Sequence, residues 1–135
     1  MIVVDSSAWI EFLRATGSRV DRMLTKLLHE GAELAVTEIV CLELLVGART
    51  EQEERELRAG PLARPLLVLD GLRGYETAAQ LYRACRRAGE TVRKLSDCLV
   101  AVPTIAAGAE LLHADADFET LARHTPLRLH ALGRQ

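Results

Sequence analysis

The chain of 135 residues is the size of one domain, long enough for a substantial core, and is read as a single domain over 1–135. Its 17 basic and 19 acidic residues leave a net charge of −2, which excludes a bulk polycation, so any nucleic-acid contact must come from a local basic patch. No apolar run approaches the roughly 20 residues needed to span a bilayer, and the apolar start lacks a basic lead, so the chain is expected to be cytoplasmic with no membrane partner.

Cys41, Cys85 and Cys98 are scattered in apolar runs without a CxxC pair. They read as buried free thiols, in keeping with a reducing compartment.

The chain opens on Ile2-Val3-Val4, a β-branched run with no polar alternation, which predicts a strand buried on both faces. Asp5 follows at its carboxyl end. Ser6 or Ser7 is placed to cap a short helix over residues 8–15, broken by Thr16-Gly17-Ser18. Val20, Met23, Leu24, Leu27 and Leu28 have helical spacing, and Gly31 ends that helix. A second strand is predicted within 33–37, then an apolar helix over 38–48. Residues 51–58 carry Glu51, Glu53, Glu54 and Glu56 against Arg55 and Arg58 and read as a solvated helix.

Pro65 precedes a third strand, 66–69, and a long helix runs from about Asp70 to Ala88, closed by Gly89. Residues 91–96 form a basic loop. The next apolar helix spans about 97–107, where Pro103 predicts a kink or early break. A fourth strand over 109–114, a short helix over 117–124 and a last strand over 127–132 complete the chain. Alternating strands and helices predict an α/β fold with a mainly parallel central sheet and right-handed crossovers.

Five carboxylates stand apart from the other acids. Asp5 ends a buried strand, and Glu43 is the only charge between Ile39 and Val46. Asp97 opens an apolar helix; Asp115 and Asp117 come directly after the fourth strand. Each has a plainer role available: Asp5, Asp97 and Asp117 as helix caps or first-turn acids, Glu43 as the partner of an arginine such as Arg49. If the first strand is central, however, all five converge at the carboxyl edge of the sheet, where open α/β folds bind ligands. Two carboxylates about 4 Å apart repel by roughly 4 kcal/mol at an effective dielectric near 20, so such a group needs a cation or protons. Oxygen-only ligands suit Mg²⁺ or Mn²⁺ better than Zn²⁺.

These segments resemble PIN-domain ribonucleases, in particular the small VapC-type toxins of prokaryotic toxin–antitoxin pairs. The resemblance lies in Val3-Val4-Asp5-Ser6-Ser7, Thr37 followed by Glu43-Leu44-Leu45-Val46-Gly47, Asp97 before an apolar helix, and Leu111-Leu112-His113-Ala114-Asp115-Ala116-Asp117-Phe118. It covers essentially the whole chain, and the ordered set is more specific than any one piece. It implies a three-layer α/β/α sandwich and metal-dependent hydrolysis of RNA. The family's acidic site falls on Asp5, Glu43, Asp97 and Asp115, with Asp117 as a further acid and Ser6 as a supporting hydroxyl. Asp5, Asp97 and Asp115 are the expected metal ligands; Glu43 is expected to bind a second metal or orient the attacking water. The resemblance also implies a homodimer and a cognate antitoxin whose tail fills the acidic crevice. Pro103 departs from the small apolar residues usual after the third acid.

Arg86, Arg87, Arg93 and Lys94, just before Asp97, are the candidate RNA-binding patch, with a solvated helix end as the alternative. Trp9 and Phe12 are expected in the core or facing a partner. His113 is expected in a strand, and no histidine is placed as a general base. Two other functions remain open. One is a non-catalytic acidic crevice that binds a basic protein tail. The other is a phospho-accepting aspartate domain, disfavoured because Asp5-Ser6-Ser7-Ala8-Trp9 lacks a D-x-D-x-T pattern.

Overall fold

A computed structural model describes residues 1–133. Five strands, β1 (Ile2–Val4), β2 (Leu34–Thr37), β3 (Leu66–Leu67), β4 (Glu110–Leu112) and β5 (Arg128–Leu129), form one sheet in the order β3-β2-β1-β4-β5. Every pairing is parallel: Val3 sits opposite Ala35 on one side and Leu111 on the other. The first strand is therefore central. Val3, Val4, Leu111 and Leu112 are completely buried, as the unbroken apolar runs predict for strands covered on both faces.

The helices among the described residues are α1 (Ser6–Leu13), α2 (Arg19–His29), α3 (Glu38–Gly47), α4 (Glu51–Ala59), α5 (Gly71–Arg87), α6 (Leu95–Ala106) and α7 (Ala116–His124), with a 3-10 turn at Pro61–Ala63. α1 packs on α2 and α3; α5 packs on α6 and α7; α3 meets α6. With the sheet they make the expected α/β/α sandwich. Trp9 and Phe118 are wholly inside the core, each worth about 1.5–3 kcal/mol of burial, and Phe12 meets Trp9 edge-on at 5.9 Å. α4 is solvated apart from Leu57, as its charges predict. Gly31 (φ 65°) and Gly89 (φ 86°) supply the left-handed residues after α2 and α5.

Several sequence expectations need correction. Asp5, not a serine, is the N-cap of α1, which begins at Ser6. α6 does not break at Pro103 but runs to Ala106. The proline gives up only the one bond its amide would make to the Leu99 carbonyl, and its ring is buried in the core. The strands at 66–69, 109–114 and 127–132 are shorter than predicted, because apolar side chains continue past the last ladder pairing. His113 lies just beyond β4 rather than in it. Cys85 and Cys98 are buried thiols, but Cys41 is only half-buried.

Candidate metal centre

Because β1 is central and parallel to its neighbours, its carboxyl end and those of β2 and β4 open on the same edge of the sheet. Asp5 stands there, 2% exposed. Its Oδ2 accepts the Ser7 amide (3.0 Å) and the Ser7 hydroxyl (2.6 Å). Its Oδ1 is buried without a hydrogen-bond partner. Asp5 is thus a helix cap through one oxygen and unsatisfied through the other. The Ser7 hydroxyl also accepts the Ala114 amide (2.9 Å), which ties the segment after β4 to the end of β1.

Glu43 projects from the middle of α3 and accepts the Ser6 hydroxyl at 3.2 Å. No ion pair joins it to Arg49, whose amide donates to Glu53 instead. Asp97 lies in the first turn of α6 with its side chain 3% exposed, and its buried Oδ2 has no hydrogen-bond partner. Asp115, rather than Asp117, is the N-cap of α7, accepting the Asp117 amide at 3.0 Å. Asp117 accepts the backbone amides of Arg93 (3.1 Å) and Lys94 (2.9 Å), which fastens the loop before α6 to the start of α7. Asp97, Asp115 and Asp117 each offer an oxygen within 4.8 Å of the others.

Two cations accompany these acids. The Lys94 ammonium forms an ion pair with Asp115 and lies 4.0 Å from Asp97 Oδ2. The Arg93 guanidinium lies 3.5 Å from Asp117 and 3.8 Å from Asp115. Sequence reasoning placed both residues in a basic patch and missed that they neutralise the site. It also missed Ser7, choosing Ser6 as the supporting hydroxyl; both serines hold an acid, Ser7 holding Asp5 and Ser6 holding Glu43. The signal for Ser7 was its place two residues after a strand-ending aspartate, the spacing of an Asx turn. Arg86 and Arg87 are exposed at the end of α5, and Arg86 lies over the Tyr82 ring at 5.7 Å. Among the described residues, no hydrogen bond or ion pair joins those two arginines to the acids.

The electrostatics divide the acids into two groups. Burial raises Asp5, outweighing its bonds from Ser7 and Ser6 and the Lys94 charge. Burial and then the Asp5 charge raise Glu43. Burial, followed by a hydrogen bond with Asp117, pushes Asp97 up to about 8 despite Lys94. Asp115 and Asp117 move the other way. Burial would raise both, but Lys94 and the Asp117 amide hold Asp115 low, and the Arg93 and Lys94 amides hold Asp117 low. Asp5, Glu43 and Asp97 are thus biased toward their protonated forms until a cation joins them. Unpartnered buried oxygens on Asp5 and Asp97 fit a divalent cation, with no cysteine or histidine in the donor set.

His113 orders the approach to Asp115: its Nδ1 accepts the Asp115 amide (3.0 Å) and its Nε2 lies 3.3 Å from Glu119. Beside the site, a groove of about 420 Å³ is lined by Ile10, Leu13, Leu44 and Leu57 together with Glu43, Glu53, Glu56, Arg14 and Arg49.

Comparison with known proteins gives a consistent picture. A family model described as "PIN domain" matches residues 2–124. The chain is 43% identical over 129 residues to the VapC ribonuclease Mb1587 of Mycobacterium bovis, covering 95% of this chain and 96% of the relative. Among solved structures it is similar to FitAcB from Neisseria gonorrhoeae (TM-score 0.73, 18% identity, 98% of each chain). It is also similar to a toxin–antitoxin complex from Klebsiella pneumoniae (TM-score 0.68, 18% identity, 96% of this chain and 100% of that one).

Proposed function

The chain belongs to the PIN-domain family, and on that premise we propose that it is an Mg²⁺- or Mn²⁺-dependent endoribonuclease acting as the toxin of a toxin–antitoxin pair. The observation that carries the proposal is the pair of buried, unpartnered carboxylate oxygens on Asp5 and Asp97 at the sheet's carboxyl edge. The VapC ribonuclease relative, 43% identical, supplies the reaction class.

In this reading Asp5, Asp97 and Asp115 hold the metal. A divalent ion held by these residues would supply a water of lowered pKa and offset charge on the phosphate in a phosphodiester hydrolysis. The Ser7 hydroxyl and amide fix the Asp5 carboxylate, so the free oxygen has one orientation. Glu43, raised by burial and steadied by Ser6, orients the attacking water and accepts its proton. Asp117 acts through the loop it holds, by positioning Arg93 and Lys94.

RNA is held through its phosphates. Arg93 is 75% exposed beside the acids and also lines a cleft of about 380 Å³ with Tyr82, Arg83, Val92 and Leu95. Arg86 and Arg87 extend the positive surface along α5. The groove that Glu43 lines, part apolar and part charged, suits the tail of an antitoxin, the kind of partner named in the Klebsiella pneumoniae complex. Exposed Leu42 and Val46 on α3 and Leu95 on α6 suit a homodimer. Three free cysteines, and no helix among the described residues long and apolar enough to cross a membrane, suit a cytoplasmic toxin.

The test is cleavage of RNA by antitoxin-free protein with Mg²⁺ or Mn²⁺, comparing the wild type with Asp5→Asn. The expected result is metal-dependent cutting lost in the variant. Cutting that survives Asp5→Asn would move the reaction elsewhere. No cutting of any RNA would leave an acidic crevice that only binds a basic protein tail.

A further inference from the structure

The short segment between β4 and α7 carries Asp115 to the metal centre, and side chains take up its backbone donors one after another. The Ala114 amide donates to the Ser7 hydroxyl (2.9 Å), the Asp115 amide to His113 Nδ1 (3.0 Å) and the Asp117 amide to Asp115 Oδ1 (3.0 Å). Ser7 and Asp115 are parts of the centre. His113 is the outsider among these acceptors.

The imidazole is fixed on three sides. Its ring lies tilted against Phe118 with centroids 5.3 Å apart, and Phe118 is completely buried. Its Nε2 lies 3.3 Å from Glu119 Oε1, and the side chain is only 11% exposed. Its Nδ1 accepts a backbone amide, so the ring carries its proton on Nε2, beside Glu119. Both nitrogens have partners, and neither partner is a carboxylate of the centre.

We propose that His113 is a positioning residue of the metal centre: as an amide acceptor it fixes the backbone of Asp115, and with it the direction in which that carboxylate enters the site. The inference rests on the metal-dependent reading above and deepens it by naming the residue that presents one of the ligands.

The place of Asp115 in the chain explains why such a residue is needed. β4 ends at Leu112, and Asp115 is the N-cap of α7 in extended backbone (φ −133°, ψ 126°). Neither the sheet ladder nor the helix therefore takes its amide. His113 does, and the packing of its ring on Phe118 ties that acceptor to the core instead of leaving it on a free loop. The oxygens of Asp97, Asp115 and Asp117 converge within 4.8 Å of one another, so a modest turn of the Asp115 backbone would spread them.

The experiment is a Mn²⁺ titration of the full antitoxin-free chain, reading free hexaaquo-Mn²⁺ by electron paramagnetic resonance, which does not depend on RNA cleavage. His113→Asn keeps an oxygen acceptor near the place of Nδ1 and gives up the ring; His113→Phe and His113→Leu keep apolar bulk against Phe118 and offer no acceptor. The asparagine variant is expected to bind Mn²⁺ nearly as tightly as the wild type. The two apolar variants are expected to bind about 10–100-fold more weakly, as for other groups that orient a metal ligand. Thermal melts of the ion-free proteins should rank the other way, because the apolar variants keep more of the packing. Apolar variants that bind Mn²⁺ as tightly as the wild type, an asparagine variant no tighter than they are, or affinities that follow the melts would overturn the inference and leave the metal-dependent reading intact. No saturable Mn²⁺ in the wild type would overturn both.

Discussion

Ser7 binds Asp5 twice, its amide and its hydroxyl both donating to Oδ2 at 3.0 and 2.6 Å, and so leaves Oδ1 as the only oxygen turned loose. The same hydroxyl accepts the Ala114 amide, so one side chain sets the Asp5 orientation and the spacing between the ends of β1 and β4. Ser7→Ala should cost about 1 kcal/mol of stability, the usual worth of a hydrogen bond. Metal affinity or cleavage should fall by about 10–100-fold, as for other residues that orient a metal ligand. Chemical denaturation and metal titration check the two effects separately; unchanged metal affinity would show that the capping amide alone suffices.

Asp97→Asn tests the site from the side of stability. The metal-free fold carries a buried carboxylate whose oxygen has no hydrogen-bond partner, so the isosteric amide should leave its melting temperature unchanged or raise it. Metal stabilises the wild type by binding only the folded state, by about 2.7 kcal/mol at a hundredfold excess over Kd. That metal-induced rise in melting temperature should vanish in the variant. A rise of equal size in both proteins would remove Asp97 from the ligand set.

Asp117→Ala is expected to behave differently. Its carboxylate accepts two backbone amides, from Arg93 and Lys94, and no other described acceptor takes them. Each charge-assisted bond lost costs about 1.5–3 kcal/mol, and two stranded amides should loosen the loop before α6. Faster amide hydrogen exchange at residues 93 and 94, with the sheet core unchanged, is the expected signature. Unaltered exchange there would return Asp117 to the role of a plain ligand.

A second tie between that loop and α7 lies farther from the acids. Glu90 accepts Arg123 through both oxygens, and His124 Nε2 lies 2.7 Å from its Oε1. The hydrogen bonds from Arg123 and His124 lower the Glu90 carboxyl to about 2. A depressed carboxyl adds stability that is present above its unfolded value, 4.5, and is lost as pH falls through about 2. Glu90→Gln should therefore flatten the acid limb of a stability–pH profile in that window and leave neutral-pH cleavage in place. An acid limb of unchanged slope would contradict the tie.

Much of the fold is legible in the residues, for reasons particular to them. Ile2-Val3-Val4 could be read as a central strand because burial on both faces removes polar alternation, and its central place follows from the sheet order. Asp5, Glu43, Asp97, Asp115 and Asp117 could be picked out because a charge inside an apolar segment conflicts with its neighbours. Chain pattern does not reveal which groups answer those charges. Ser7, Arg93 and Lys94 are polar residues in loops or at helix starts, where such residues are ordinary. Their partners, except Asp5 and Asp97, lie more than twenty residues away. Pro103 misled for a related reason: propensity assigns it a break, while core packing around its ring in the last turn of α6 decides the outcome.

The outermost strands, β3 and β5, each pair over only two residues. A parallel edge of that length gives an incoming strand too few amides and carbonyls to align on, which protects an all-parallel sheet from adding strands end over end. Short edges therefore disfavour sheet extension between copies and leave the helical faces as the favoured route of association for this chain.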